Sequence, residues 1–402
     1  MAEVTRQSYG LKQRLILAAI GLAAGLALGE TLLAWAQPQV HRRPDVWQFD
    51  AQLGWSHIPG ATGRLVSPEF DVEVRINSDG LRDREYLPQK PAGARRLLLF
   101  GDSFIEGWGV PVEHSVAKVL ENLLRSRSSA ATGDVAGEVE VINFGVAGYG
   151  TDQALLLFQQ TGRHYGADRV VVFFYGNDLW NNALSRGIGS ERGLKPRFTL
   201  TADGGVRLTG APVRKVGFWE RADARPWSTR MQRYLFEHWH LYALLHRALA
   251  PSAIGAGSQA DFYGALYGVD PGRKYEELWT LSARLMHTFR VAIRQAGAEM
   301  VLVYVPSIVQ IEEDNWQMKR ELHELAGEFD LGKPNRRLRR IAAEASIPFL
   351  DLYEPFAMQA RRGRVLYFRD SHWNGDGHAL AAASLREFLD SPSSASAAGI
   401  GR

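Results

Sequence analysis

Four short polar clusters in this chain contain the residue types that acyl transfer through a serine requires. In chain order they are Gly101-Asp102-Ser103-Phe104, Asn143 to Gly148, Gly176-Asn177-Asp178 and Asp370-Ser371-His372-Trp373-Asn374. Such chemistry needs a hydroxyl nucleophile, a neutral imidazole, a carboxylate that orients the imidazole, and donors aimed at the developing oxyanion. The four clusters together supply every one of these groups.

The oxyanion donors come from three of the clusters. We expect the Ser103 hydroxyl to be the nucleophile and its backbone N–H, at a strand-to-helix junction, to be one donor. Gly148 offers a second backbone N–H, because a residue without a Cβ lets the backbone approach closely. Asn177 offers a side-chain N–H. The sequence therefore predicts a three-donor oxyanion hole.

His372 is the predicted base, and Asp370 is the predicted carboxylate that orients it. The two residues are two positions apart, and in an extended segment such residues point the same way. Asp370 could then reach the imidazole Nδ1. Asp351 is the alternative carboxylate, although it follows a different predicted strand.

The composition excludes several other classes of site. The chain of 402 residues has no cysteine, which excludes disulfides, thiolate zinc sites and cysteine nucleophiles. Its 47 basic and 44 acidic residues give a net charge of +3 without a Lys/Arg-rich block, so no nucleic-acid partner is expected. No pattern of metal ligands or dinucleotide-binding glycines stands out, so neither a metal nor a cofactor is predicted.

Alternating strands and helices must position these clusters. The predicted strands are Leu97–Phe100, Val139–Ile142, Arg169–Tyr175, Met300–Val305 and Ile347–Leu350. The predicted helices are Val116–Leu124, Gln153–Tyr165, Tyr275–Gln295, Arg336–Ala345 and Gly377–Leu389. Continuous apolar strands between helices indicate a parallel sheet covered on both faces. Functional groups in such sheets lie at the carboxyl ends of the strands, where three of the four clusters stand.

An apolar segment, Leu15 to Ala36, precedes these predicted strands and helices and is interrupted by Glu30. At 1.5 Å per residue it spans ~33 Å of helix, enough for one hydrocarbon core. Basic residues before it favour a cytoplasmic N-terminus, residues 1–14. A cleaved signal peptide is the alternative, because Ala34-Trp35-Ala36 resembles an A-x-A cleavage site. We favour an uncleaved anchor, since the segment is long and Trp35 is bulky, and in either case the rest of the chain is exported.

Three further regions do not follow the alternation. Residues 37–94 are rich in turns around a half-buried strand, Phe70 to Ile76, and predict a small β-containing extension. Residues 179–274 form an aromatic-rich insertion with one predicted helix, Arg230 to Leu249; it either covers the site or only adds packing. Residues 391–402 are rich in Ser, Ala and Gly and predict a disordered tail.

The four clusters, in this order, resemble the SGNH (GDSL-type) hydrolase family over residues 95–390, apart from the insertion. The resemblance implies an α/β fold, a flavodoxin-like three-layer α/β/α sandwich with a five-stranded parallel sheet. It implies Ser103 as nucleophile, His372 as base, and Gly148 and Asn177 as oxyanion donors with the Ser103 amide. The family's last block often reads Asp-x-x-His, whereas this chain has Asp-x-His, as in members whose block runs Asp-x-His-x-Asn.

The N-terminal helix and the extension motifs also resemble bacterial membrane-anchored SGNH proteins. We therefore expect a serine ester hydrolase anchored in the bacterial inner membrane, with its catalytic domain in the periplasm and an acyl ester as substrate. One alternative is an O-acyltransferase that moves an acyl group onto a polysaccharide or peptidoglycan hydroxyl. A second alternative is a non-enzymatic glycan-binding or scaffold module. Neither the acyl group nor the alcohol portion of the substrate follows from the sequence.

Overall fold

The computed structural model describes residues 10–132, 138–187, 193–215, 227–249, 256–270 and 272–392. The predicted cytoplasmic N-terminus and the predicted disordered tail lie mostly outside these residues. The chain divides into two compact units. The smaller comprises Met1–Arg43, Leu65–Asp71 and Arg225–Ala253, and the larger comprises Pro44–Arg64, Val72–Ala224 and Ile254–Arg402.

The described strands are short and span the larger part of the chain. They are β1 (Trp47–Asp50), β2 (Gly54–His57), β3 (Thr62–Val66), β4 (Asp71–Arg75), β5 (Arg95–Gly101), β6 (Val139–Gly145), β7 (Arg169–Phe174), β8 (Arg197–Leu200), β9 (Val206–Thr209), β10 (Glu299–Tyr304) and β11 (Phe349–Asp351). In β4 the burial alternates residue by residue, as the half-buried pattern at Phe70 to Ile76 predicts.

The described α-helices range from single turns to the long N-terminal helix. They are α1 (Leu11–Ala36), α2 (Ser103–Glu106), α3 (Val116–Thr132), α4 (Thr151–Gln160), α5 (Gly176–Asn181), α6 (Trp227–His238), α7 (His240–Leu249), α8 (Ala256–Tyr267), α9 (Arg273–Gln295), α10 (Ile308–Ile311), α11 (Glu313–Leu322), α12 (Lys333–Glu344), α13 (Tyr353–Arg361) and α14 (Gly375–Asp390).

The predicted five-stranded parallel sheet is confirmed. Its strand order is β6-β5-β7-β10-β11, and every neighbouring pair is parallel. This is the order 2-1-3-4-5 of flavodoxin-like folds. The chain reverses direction across the sheet between β5 and β7, and such a switch point opens a crevice beyond the carboxyl ends of the strands. The sheet therefore places the residues that follow β5, β6 and β7 around one crevice.

Strand β6 extends beyond its predicted end at Ile142. Asn143, Phe144 and Gly145 continue the ladder, with Gly145 opposite Gly101 of β5. All seven residues of β6 are buried, so the polar side chain of Asn143 did not mark the end of the strand. The burial of the Asn143 amide is offset in part because its Oδ1 accepts a hydrogen bond of 2.9 Å from the backbone N–H of Gly145.

Aromatic packing joins the sheet to the helices on one face. Phe100 of β5 stacks on Phe144 of β6, with ring centroids 4.8 Å apart. Phe158 of α4 and Phe289 of α9 meet Phe100 edge-on, each at 5.8 Å. Helices α3 and α14 pack against each other on the opposite face. Both faces of the sheet are thus covered, as the continuous apolar strands predict.

The smaller unit contains α1, α6 and α7. The single predicted helix from Arg230 to Leu249 is wrong, because the chain forms two helices that break at Trp239. The N–H groups of His240 and Leu241 donate to the carboxylate of Glu30, at 2.7 and 2.8 Å, so a side chain supplies their acceptors. Among the described helices, α1 alone is long and apolar enough to cross a membrane.

Candidate active site

Ser103 is the first residue of α2, and one residue, Asp102, separates it from the end of β5. Asp102 caps this short helix, because its Oδ1 accepts the backbone N–H of Phe104 at 3.0 Å. Gly107 ends the helix in the left-handed region, with φ 89°, a conformation that glycine adopts at little cost. The hydroxyl of Ser103 is therefore held at the carboxyl end of the sheet, beside the switch point.

His372 reaches Ser103 from the segment before α14. Its Nε2 lies 2.9 Å from the Ser103 Oγ, within hydrogen-bond distance. Two aromatic rings flank the imidazole: Trp108 stacks on it with centroids 5.4 Å apart, and Phe104 lies at 5.3 Å. These neighbours hold the ring in one orientation while its side chain keeps 23% exposure to solvent.

Asp370 lies on the other side of the imidazole. Its Oδ1 is 3.2 Å from His372 Nδ1, an ion-pair distance, although the ring N–H is not aligned well enough for a hydrogen bond. The same carboxylate accepts the backbone N–H of His372 at 3.1 Å and the indole N–H of Trp108 at 3.1 Å. Burial alone would raise the pKa of Asp370, but the adjacent His372 imidazole, the backbone N–H of His372 and the indole N–H of Trp108 outweigh it and lower that pKa. Asp370 is therefore held as a carboxylate.

The segment that carries these two residues is a tight turn, so the predicted extended conformation is wrong. Ser371 has φ 75°, in the left-handed region. The turn closes through a hydrogen bond of 2.8 Å from the Phe368 N–H to the His372 carbonyl oxygen. The carboxylate and the imidazole meet because the chain reverses between them.

Asp351, the alternative carboxylate, is engaged elsewhere. The side-chain amide of Asn335 donates to both of its oxygens, at 2.9 and 3.0 Å. Arg339 forms an ion pair with it at 3.3 Å. The structure thus places Asp370, and not Asp351, beside His372.

The backbone N–H groups of Ser103 and Gly148 are both available as donors, since neither has a hydrogen-bond acceptor among the described residues. Gly148 follows β6 and has φ 79°. The loop that carries it starts with a hydrogen bond of 3.1 Å from the Val146 N–H to the Gly101 carbonyl oxygen. This bond ties the Gly148 loop to the end of β5, two residues before Ser103.

Asn177, the third predicted donor, lies in the first turn of α5. Its Nδ2 donates to Asp102 Oδ2 at 2.9 Å, which uses one of its two amide hydrogens and fixes the orientation of the amide. Burial raises the pKa of Asp102, against the hydrogen bonds from Asn177 and Phe104 that lower it. The second amide hydrogen of Asn177 remains for an acceptor at the site.

A comparison of the sequence with protein-family models decides the family. Residues 99–380 match the model of the GDSL-like lipase/acylhydrolase family. The chain belongs to this family. It is accordingly an enzyme of the SGNH type that acts on ester bonds. A comparison with curated protein sequences found no match.

Several solved structures are similar to the enzyme. An acetyl xylan esterase, AlAXEase, is 13% identical with a TM-score of 0.37, and the match covers 73% of this chain and 98% of that one. Axe2, an acetylxylan esterase from Geobacillus stearothermophilus, is 13% identical with a TM-score of 0.37, covering 74% and 94%. TesA is 12% identical with a TM-score of 0.36, covering 74% and 99%. Likeness at this level carries no argument about the substrate of the enzyme.

Two residues that the sequence analysis missed hold the Gly148 loop. Glu106, at the end of α2, accepts the backbone N–H of Ala147. Trp55 of β2 donates its indole N–H to the Ala147 carbonyl oxygen at 3.2 Å. Both polar groups of Ala147, the residue before Gly148, are therefore bound by buried side chains. Glu106 and Trp55 lie 41 and 92 positions from Ala147 along the chain, so neither partnership leaves a local pattern in the sequence.

Glu106 is part of a buried charged cluster. His57 of β2 brings its Nε2 to 3.5 Å from Glu106 Oε1, and its Nδ1 lies 3.0 Å from the Gly80 carbonyl oxygen. Since a carbonyl only accepts, Nδ1 carries a proton. Burial would raise the pKa of Glu106, but the charges of His57 and Arg82 and the hydrogen bond from the Ala147 N–H together lower it. A buried carboxylate thus stands behind the helix that carries the serine.

A cavity of about 40 Å³ lies next to the site. Tyr175, Leu266, Val309 and Ser371 are among the residues that line it. Ser371 adjoins His372, and the Tyr175 ring lies 4.6 Å from that of Phe104, the neighbour of Ser103. Within the described part of the chain, no group of three or more His, Asp or Glu side chains could hold a metal ion.

Proposed function

We propose that this enzyme is a membrane-anchored serine ester hydrolase of the bacterial periplasm. Ser103, His372 and Asp370 form its triad, and the N–H groups of Ser103, Gly148 and Asn177 form its oxyanion hole. One observation carries the proposal. The imidazole of His372 has the Ser103 hydroxyl 2.9 Å from Nε2 and the Asp370 carboxylate 3.2 Å from Nδ1.

The proposed reaction proceeds in two halves. Ser103 Oγ attacks the ester carbonyl while His372 Nε2 takes its proton, and the oxyanion is stabilised by the three N–H donors. The tetrahedral intermediate collapses to an acyl-enzyme, and His372 gives the proton to the departing alcohol. Water then attacks the acyl-enzyme with His372 again as base. Asp370 stabilises the imidazolium that forms in each half.

The cavity beside the site supports a short acyl group. An apolar cavity of roughly 150 Å³ binds benzene, and this one measures about 40 Å³. A space of this size fits a methyl or acetyl group more closely than a long acyl chain. Its lining by Tyr175, Leu266 and Val309 is apolar on most sides, which suits the methyl end of an acetyl ester.

Replacement of the nucleophile tests the reaction. We expect Ser103→Ala to lower kcat for p-nitrophenyl acetate by on the order of 10⁴ and to abolish labelling by a fluorophosphonate probe, with an unchanged melting temperature. Ser126→Ala, which removes an exposed hydroxyl that donates to the Asn122 carbonyl oxygen, is the control and should behave as wild type. Full esterase activity in a folded Ser103→Ala variant would exclude the mechanism.

Membrane anchoring by α1 has its own support and its own test. The carboxylate of Glu30 binds the first N–H groups of α7, and cleavage after Ala36 would remove that carboxylate from the mature protein. We therefore expect α1 to be retained. N-terminal sequencing of the protein from carbonate-washed membranes should give a chain that still contains Leu15 to Ala36, whereas a mature chain that starts after Ala36 would show cleavage.

A further inference from the structure

Two consecutive helices of the smaller unit expose apolar side chains. On α6, Met231 and Tyr234 lie three positions apart, so they share one face, and they are 38% and 54% exposed. On α7, the adjacent Leu244 and Leu245 are 37% and 50% exposed. Trp239, which joins the helices, is 48% exposed. These five side chains constitute the exposed apolar set.

Glu30 binds this pair of helices to α1. Its two carboxylate oxygens accept the N–H groups of His240 and Leu241, the first two residues of α7. Such N–H groups have no partner within their own helix, and the positive end of a helix favours a carboxylate. A third hydrogen bond, of 2.8 Å, runs from the Gln39 N–H to His240 Nδ1. Helix α7 therefore begins beside the C-terminal part of α1.

The length of α1 sets the depth of this junction. With 26 residues the helix is ~39 Å long, so it projects about 4–5 Å beyond each side of a ~30 Å hydrocarbon core. Glu30 stands six residues before Ala36, or about 9 Å along the axis. It thus lies about 4–5 Å inside the hydrocarbon boundary. Amphipathic helices at membrane surfaces bury their apolar faces about 5–10 Å into this same boundary.

We propose that α6 and α7 lie in the membrane interface and insert the exposed apolar set among the lipid acyl chains. The inference rests on the anchoring by α1 proposed above. It commits to a lipid surface because the junction between the two helices, where α6 ends and α7 begins, lies at the depth of interfacial helices. Residues 227–249, which include both helices, also contain three arginines against a single acidic residue, Glu237. Helices with such an excess of basic residues are attracted to anionic headgroups.

The absence of cysteine from the chain allows a site-specific test. Single variants Tyr234→Cys and Leu245→Cys of the full-length protein would be labelled with an environment-sensitive fluorophore. The labelled proteins would be placed in vesicles of phosphatidylcholine and phosphatidylglycerol, without brominated lipid or with phosphatidylcholine brominated either near the headgroup or deep in the acyl chain. Gln232→Cys, which is exposed on the opposite side of α6, is the matched control. Leu22→Cys, in the middle of α1, reports on the anchor. Esterase activity of each labelled protein establishes that it is folded.

We expect labels at 234 and 245 to emit at shorter wavelength and to be quenched by the brominated lipid, and the label at 232 to be quenched instead by aqueous iodide. A label at 22 that is quenched only by lipid brominated deep in the acyl chain shows that the anchor is inserted. If α1 is inserted but the labels at 234 and 245 respond like the label at 232, then the interfacial placement of α6 and α7 is wrong, while membrane anchoring by α1 is supported. Blue-shifted labels at 234 and 245 that brominated lipid does not quench would mean that protein covers the set, which also overturns the proposal.

Discussion

The indole N–H of Trp55 donates to the carbonyl oxygen of Ala147 across 3.2 Å, between residues 92 positions apart in the chain. A peptide group is planar and trans, so its C=O and the following N–H point in opposite directions. The bond from Trp55 therefore fixes the direction of the Gly148 N–H, the proposed oxyanion donor. Tyr149 supports Trp55 in two ways. Its ring meets the indole edge-on, with centroids 5.5 Å apart, and its hydroxyl donates to the backbone carbonyl oxygen of Trp55 at 2.5 Å.

Trp55→Phe should therefore reduce kcat and leave KM nearly unchanged. Loss of a whole oxyanion donor costs about 10²–10³ in kcat, and a donor that is only misdirected should cost roughly tenfold. Trp47→Phe is the matched control, because its indole N–H is buried without a hydrogen-bond partner among the described residues. Steady-state kinetics with p-nitrophenyl acetate and rates of fluorophosphonate labelling measure the effect. Equal kcat values in the two variants would refute the positioning role of Trp55.

The cavity beside the site gives a prediction about acyl-chain length. Leu266 of α8 lines the cavity and is almost fully buried, so Leu266→Ala should enlarge the space and shift the preference from acetyl toward butyryl esters. The truncation should also destabilise the fold by about 2–5 kcal/mol. Leu285→Ala removes an equally buried leucine that does not line the cavity. This variant should lose similar stability and keep the preference for acetyl esters. If both variants shifted their preference toward butyryl esters, the cavity would not determine acyl-chain specificity.

The sheet was predictable from the sequence because its strands are buried on both faces. In the strand Arg169–Phe174, every residue after the arginine is apolar and buried, which differs from the alternation of a half-exposed strand and from the spacing of a helix. The clusters after the first three strands then had to meet at one edge. The break at Trp239 was not predictable, because it depends on a carboxylate at position 30, far away in the chain.

In the candidate site, too, the features with a local sequence pattern were predictable, and those that depend on backbone conformation or on distant residues were not. Ser103 and His372 stood out as residue types in ordered clusters, and the structure brings their side chains to 2.9 Å. The way Asp370 meets His372 was not readable, since it depends on a left-handed Ser371, a conformation that few residues other than glycine adopt. The contribution of Trp55 arises from a long-range hydrogen bond, which leaves no local pattern in the sequence.

Gly145 shows how closely the sheet approaches the helix that carries Ser103. A Cβ at this position would lie 2.2 Å from the Glu106 backbone nitrogen and 2.5 Å from the Ile105 carbonyl carbon. Gly145→Ala should displace α2, lower stability by about 1–3 kcal/mol or more, and reduce kcat. Gly264→Ala, within α8, meets no atom within 4 Å and should be neutral or stabilising. Thermal melts and esterase assays test both, and a fully active Gly145→Ala enzyme would show that α2 tolerates the shift.

The lowered pKa of Glu106 predicts a specific dependence of stability on pH. A carboxyl group whose pKa is lower in the folded than in the unfolded protein stabilises the fold above its ordinary pKa, here 4.5. That contribution is lost as the pH falls through the lower, folded value. Glu106→Gln keeps an acceptor for the Ala147 N–H but removes the charge beside His57. The melting temperature of wild type should therefore exceed that of the variant near neutral pH, and the difference should shrink in acid.

Glu113→Gln serves as the control for this experiment, because Glu113 is an exposed residue of the same region. Its melting temperature should follow that of wild type at every pH. If the difference in melting temperature between wild type and Glu106→Gln grew as the pH fell, the pH dependence would be opposite to the one predicted. It would mean that Glu106 is protonated in the folded protein, with burial prevailing over the charges of His57 and Arg82.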